Sequence, residues 1–269
     1  MVNAFEAGTV VAVVAGAIGY FVVLRGSSFA AHALSHIGFA GATGAVVLGL
    51  SPVIGLLVFT GGSGAVIGAL GNRLRGRDVT IGTVLAWSLG LGTLFIRLYR
   101  GYAAGAYSIL FGEILGISAS DVLLTLVAGL VTLAALVALY RPLLFASVDD
   151  DLAAARGVPV TAVSVAFMVV LALAVTEAVQ VVGVLLIFAL VVTPAATAVR
   201  LASRPRSVIM WSVGLALAFT WAGLAVAYYS PAPVSFFITT FAFVTFVGVR
   251  LAPGLAGRLL RPGRERPPS

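Results

Sequence analysis

Two histidines, His32 and His36, are the only imidazoles in the chain and stand four residues apart in FAAHALSHIGFAGATGAVVLGL. Four residues is just over one turn of α-helix, so both side chains leave the same helix face. Two imidazoles on one face can share a metal ion, a proton or a polar partner on another helix. The flanking residues Ala31, Ala33, Ser35, Gly38, Ala40 and Gly41 are small, which leaves room for an ion or for a close helix. Two imidazoles do not fill a coordination sphere, because zinc usually takes four ligands. Water, carboxylates, or carbonyls freed where a helix breaks would have to supply the rest.

The other polar side chains in apolar surroundings are few: Glu113, Asp121, Glu177 and Gln180. Glu177 is read as the end of a span, where it is either a further metal ligand or a solvated helix end. Glu113 reads as a capping or packing residue. Asp121 follows Ser118 and Ser120 and reads as a helix start, where a carboxylate meets the positive end of the helix dipole.

The elements that carry these groups must be membrane helices. Of 269 residues, 61% are hydrophobic and 9% charged, and the mean hydropathy is +1.16. A soluble domain of this size does not have that composition. Apolar runs predict spans at 7–24, 30–50, 53–71, 79–96, 120–140, 160–176, 181–199, 207–229 and 234–250. This is an all-α, polytopic transmembrane bundle of about 8–9 spans, each needing roughly 20 apolar residues. The first run lacks the basic start and cleavage site of a signal peptide. AYSILFGEILGIS (106–118) is too short to cross and reads as re-entrant or interfacial. The glycine pairs Gly64/Gly68 and Gly112/Gly116 read as close helix packing. The chain divides into a membrane domain, 1–252, and a Pro- and Arg-rich cytoplasmic tail, 253–269, near anionic lipid.

All sixteen basic residues are arginine. Without lysine there is no Walker A phosphate-binding loop and no Schiff base, so any ATP that drives this protein is hydrolysed on another chain. Without cysteine there is neither a disulfide nor a thiolate metal site. The pI near 10.5 reflects arginines at the ends of apolar runs, not a nucleic-acid surface. With the N-terminus outside and the C-terminus cytoplasmic, Arg25, Arg73, Arg75, Arg77, Arg141, Arg156, Arg200, Arg204, Arg206, Arg250, Arg258, Arg261, Arg264 and Arg266 lie inside, and only Arg97 and Arg100 lie outside. That is the distribution of the positive-inside rule for a multi-pass plasma-membrane protein.

Two further segments carry mechanical signals. The span at 181–199 is interrupted at Thr193-Pro194, where proline removes a backbone hydrogen bond; the result is a packing kink or a bend in a moving permease. SVDDDLAAARGVPV (147–160) predicts a short cytoplasmic helix with Asp149, Asp150 and Asp151 at its start, Ala155 in its last turn and Gly157 as its stop. So short a helix is unstable alone and must lie against a partner or against its own bundle.

LRGSSFAAHALSHIGFAG (24–41), SILFGEILGIS (108–118), VDDDLAAARGV (148–158) and VVGVLLIFALVVTPAATA (181–198) occur in this order. In that order they resemble the ABC-3 family, the ZnuB-type and MntB-type permeases of zinc, manganese and iron ABC importers. The resemblance implies a fold similar to vitamin B12-type importer permeases and a homodimer with the ion path between the two copies. It also implies cytoplasmic ABC ATPase subunits below and an extracytoplasmic metal-binding protein above. The helix at 149–157 then looks like the element that couples to the ATPase. In the family's second-span motif an Asp is followed four residues later by a His, both on the metal path. His36 matches that His, and His32 stands where the Asp would be. The family's acidic and glycine signature before the last span is altered here to YYSPAPVSFF. Carboxylate suits Mn²⁺ and imidazole suits Zn²⁺ and later metals, so the His/His pair favours zinc, with manganese or iron as the alternative and no permanently bound cofactor. An ion-coupled carrier would need no ATPase. An intramembrane metalloprotease would need the HExxH glutamate, and Ala33 and Leu34 follow His32 instead.

Overall fold

The computed structural model describes residues 1–70, 77–98, 112 and 114–251, and every regular element within them is helical. In chain order these are α1 (Val2–Leu24), α2 (Ser28–Val47), α3 (Pro52–Leu70), α4 (Arg77–Leu98), α5 (Ala119–Val148), α6 (Asp150–Ala155), α7 (Val160–Val182), α8 (Ile187–Val191), α9 (Thr193–Leu201), α10 (Pro205–Tyr228) and α11 (Val234–Leu251). Uninterrupted runs of Ala, Val and Leu favour helix here because a lipid-embedded backbone must satisfy its own hydrogen bonds. Among the described residues, seven helices are long and apolar enough to cross a membrane. α2 has the length, 20 residues, but its serines, glycines and two histidines lower its hydropathy.

Contacts near the helix ends sort the bundle into two faces. At one, Asn3 Nδ2 donates to Ile117 O just before α5 (3.1 Å), and Gly112 lies against the backbone of Val182 and Gly183 at the end of α7. At the other, Arg25, the C-cap of α1, reaches Ser147 near the end of α5 and Ser164 near the start of α7. α10 runs antiparallel to α1: Gly16 meets the backbone of Val213, while Gly8 meets Thr220 and Leu224. α3 runs antiparallel to α7, with Gly64 on the Met168 carbonyl and Gly68 on Val165, so close packing at Gly64/Gly68 is realised. Large fully buried side chains such as Phe21, Leu34, Ile37, Leu56, Phe167 and Leu171 fill the centre.

Three expected boundaries move. α5 runs through Pro142 to Val148 instead of stopping at 140. α7 continues past 176 to Val182, and Gly183, at φ +81°, ends it; that left-handed backbone suits glycine because it has no Cβ. The expected span 181–199 is instead a 3₁₀ turn, Val184–Leu186, followed by α8 and α9. Because α7 ends on the Asn3 face and α10 begins on the Arg25 face, these short pieces together carry the chain across. Glu113, Arg73, Arg75, Arg100, most of 106–118 and the tail 253–269 lie outside the described residues.

Candidate metal path

α2 is buried from Ala30 to Ala45 at every position except His32 and His36. Its opposite side is packed too tightly for any larger residue. A Cβ on Gly38 would lie 2.7 Å from Leu56 Cδ2, and one on Gly41 would lie 2.6 Å from Phe59 Cβ. The two half-exposed imidazoles therefore form a polar stripe on the one open side of an otherwise enclosed helix. His36 lies about 12 Å along α2 from its first residue, at 1.5 Å rise per residue, which is well inside the helix.

The ring centroids of His32 and His36 are 4.7 Å apart with an interplanar angle of 80°. Two nitrogens on one tetrahedral ion at about 2.1 Å lie roughly 3.4 Å apart, a spacing that rings this close can supply. His36 Nδ1 is buried and has no hydrogen-bond partner among the described residues. The His32 ring packs edge-on against Phe188, at 5.7 Å and 85°. Phe188 belongs to α8, the first helical piece after the Gly183 break, so the histidines touch the discontinuous crossing. Sequence reading missed Phe188; Gly183 in VVGVLL was the available signal.

Glu177 is not brought to this pair. Among the described residues, no group of three or more His, Asp or Glu side chains is close enough to hold a metal ion. Nor is Glu177 at a helix end, because α7 continues through Ala178, Val179, Val181 and Val182. It is 3% exposed, and neither carboxylate oxygen has a hydrogen-bond partner among the described residues. It faces α5 and α1, where a Cβ on Gly129 would lie 3.0 Å from Glu177 Oε1 and within 3.3 Å of Val14. On the other side of α7, Thr176 and Thr60 share a hydroxyl hydrogen bond of 2.8 Å.

At the Asn3 face, Pro52, Leu56, Asp121, Thr125 and Gln180 line a cavity of about 250 Å³. Asp121 acts as a helix start: with Ser118 it closes a reciprocal capping box on α5.

At the Arg25 face, α6 forms where the sequence places it. Asp149 caps it by accepting from Leu152 N at 2.8 Å, Asp150 and Asp151 fill its first turn, and Ala155 is its last residue before Gly157 at φ +82°. Ala153 seats it on the bundle, fully buried, while Leu152 is 48% exposed. Pro194 stands in the first turn of α9 and not inside a helix. There its missing N–H costs nothing, and the interruption falls at Val192 with near-helical dihedrals, φ −93° and ψ −47°. Thr197 Oγ1 donates to Thr193 O at 2.8 Å and tightens that turn.

The sequence profile of the ABC 3 transport family matches residues 1–252. The chain is 32% identical over 253 residues to the manganese import system permease protein ScaB of Streptococcus gordonii, covering 93% of this chain and 91% of that protein. It is 34% identical over 203 residues to the manganese transport system membrane protein MntC of Halalkalibacterium halodurans, covering 75% and 70%. Among solved structures, it is similar to PsaBC from Streptococcus pneumoniae in complex with Fab, with a TM-score of 0.82 and 34% identity over 92% of this chain and 89% of that one.

Proposed function

The chain belongs to the ABC 3 transport family and is the permease of a metal ABC importer; from that premise we propose that it moves Mn²⁺ into the cytoplasm. The observation that carries the mechanism is the open stripe of α2, where between Ala30 and Ala45 only His32 and His36 are uncovered. Facing hydrocarbon, two imidazoles are costly. Facing a second copy of the chain, they line a polar path between the two permeases. His32 and His36 are then transient ligands that bind when neutral, and Glu177, held between α1, α5 and α7, is not a ligand.

The preference for zinc drawn from the His/His pair finds no support among the relatives, whose names specify manganese. Zinc is kept as a second reading because His32 replaces a carboxylate with a nitrogen donor. ATP is hydrolysed on separate cytoplasmic subunits, which seat on α6 through the segment from Asp149 to Gly157. Arg141, Arg156, Arg200, Arg204, Arg206 and Arg250 support reading that face as cytoplasmic. An extracytoplasmic metal-binding protein delivers the ion to the opposite face of the plasma membrane, above the Asp121–Gln180 cavity. The break at Val192, just before Thr193 and Pro194, with Phe188 against His32, supplies the moving part. The test is uptake in a strain lacking its own importers, supplied with this permease and its neighbouring ATPase and binding protein. ATP-dependent manganese uptake is expected; uptake of zinc alone would reverse the choice of metal, and uptake without the ATPase would indicate an ion-coupled carrier.

A further inference from the structure

We propose that Arg25 is a positioning residue for transport: it ties the two roots of the ATPase-facing hairpin to the histidine helix, so that movement of α6 is delivered to His32 and His36. The proposal rests on reading α6 as the ATPase-facing element.

Arg25 is buried, with 9% of its surface exposed. Its Nη1 donates to Ser147 Oγ at 3.3 Å and its Nη2 to Ser164 Oγ at 2.8 Å. Ser147 stands on α5 just before α6, and Ser164 stands in the first turns of α7 just after it. One guanidinium fork thus spans both chains of the α5–α6–α7 hairpin, and its carbon lies 5.9 Å from the Phe167 ring centroid on α7. A planar fork fixes the spacing between its two acceptors, whereas an ammonium, although it has three donors, is compact and rides on a flexible stem that sets no such spacing.

The other end of the link is equally stiff. Arg25 N donates to Phe21 O at 2.9 Å, Gly26 N to Val23 O at 3.2 Å, and Ser27 N to Val22 O at 2.8 Å. The last two are the paired bonds of a Schellman closure, and Gly26 takes its left-handed position at φ +62°. Ser27 O then accepts from Ala31 N at 3.0 Å, so α2 begins with no slack residue between it and α1. His32 follows one residue later on the same rigid helix. A displacement of Ser147 and Ser164 at the base of α6 therefore moves the start of α2.

The test uses the assembled permease, ATPase and binding protein in proteoliposomes and reads Mn²⁺ ions transported per ATP hydrolysed. Arg25→Lys keeps the charge and removes the fork; Ser164→Ala removes one acceptor. Both complexes should assemble and hydrolyse ATP at the wild-type rate, while ions per ATP falls by about fivefold or more in Arg25→Lys, the lower range of a coupling between sites. Ser164→Ala should fall in the same direction, and the double variant no further than Arg25→Lys alone, because both break one link. An unchanged ratio in Arg25→Lys would overturn the proposal, as would equal loss of hydrolysis and transport, which marks a merely structural residue. If the wild-type complex itself moves no metal, it is the importer reading that fails, and not the role of Arg25.

Discussion

Gly55→Ala should separate α2 from α3, and Gly62→Ala in the same helix should not. Either substitution gains up to about 1 kcal/mol of helix propensity. Gly62 has nothing within 4 Å of where its Cβ would sit, so that gain is realised. At Gly55 the new methyl would lie 2.6 Å from the carbonyl carbon of Gly41 and 2.7 Å from Ala45 Cβ. Ordinary carbon–carbon contact is about 3.5–4.0 Å, so the helices must move apart by roughly 1 Å. Backbone cannot step aside as a side-chain rotamer can, and overpacking of this kind costs about 1–3 kcal/mol. The two variants should therefore differ in stability by about 1–3 kcal/mol once the shared propensity gain cancels, with Gly55→Ala the weaker. Thermal unfolding of the purified permease in detergent, followed by tryptophan fluorescence, measures the difference. The same separation displaces the histidine stripe, so metal uptake should fall in Gly55→Ala and persist in Gly62→Ala. Equal unfolding temperatures with wild-type uptake in both would refute the backbone contact between α2 and α3.

His36→Ala should abolish metal uptake while the assembled complex still elutes intact from size-exclusion chromatography; undiminished uptake would remove His36 from the path. His32→Asp, which restores the carboxylate of the family pattern, should keep uptake and weaken zinc binding more than manganese binding in a competition-binding assay; unchanged relative affinity would contradict the ligand assignment. Leu152→Glu places a charge on the exposed apolar residue of α6 and should prevent co-purification of the ATPase without changing the permease's own unfolding temperature. Glu177→Leu removes a buried carboxylate that has no partner among the described residues and should stabilise the fold by about 1–3 kcal/mol with uptake unchanged; a lower unfolding temperature would show that the carboxylate has a partner.

The helices were legible because lipid leaves so few alternatives: long apolar runs can only be helices, and both ends of α3, α4 and α11 and the C-terminal end of α1 fall within two residues of where hydropathy places them. The capping signals were legible too. Ser118 and Asp121, and Asp149 before Leu152, make the bonds that their spacing predicts. What hydropathy could not read was where a helix stops inside a continuous apolar stretch. Glu177 looked like a span end because it is charged, yet α7 ignores it and stops six residues later at Gly183. A charge marks where water is expected; a left-handed glycine marks where the backbone turns, and here the second signal decides. Arg25 was read only as one of many inner cations, because its two serine acceptors lie 122 and 139 residues away along the chain.

The histidine stripe also reconciles nitrogen ligands with manganese. Matching ligand type to metal favours zinc for the pair alone, but a transport site is judged by release as well as binding. On the proposed dimer, two open α2 stripes bring four imidazoles to one path, a donor set that matches tetrahedral zinc. Zinc held by such a set leaves slowly, whereas Mn²⁺ stands at the weak end of the divalent affinity order. A pathway of imidazoles therefore suits manganese by holding it loosely. On the proposed path the Nδ1 of His36, which has no partner among the described residues, would serve as a resting point on the way through the membrane, not as an anchor.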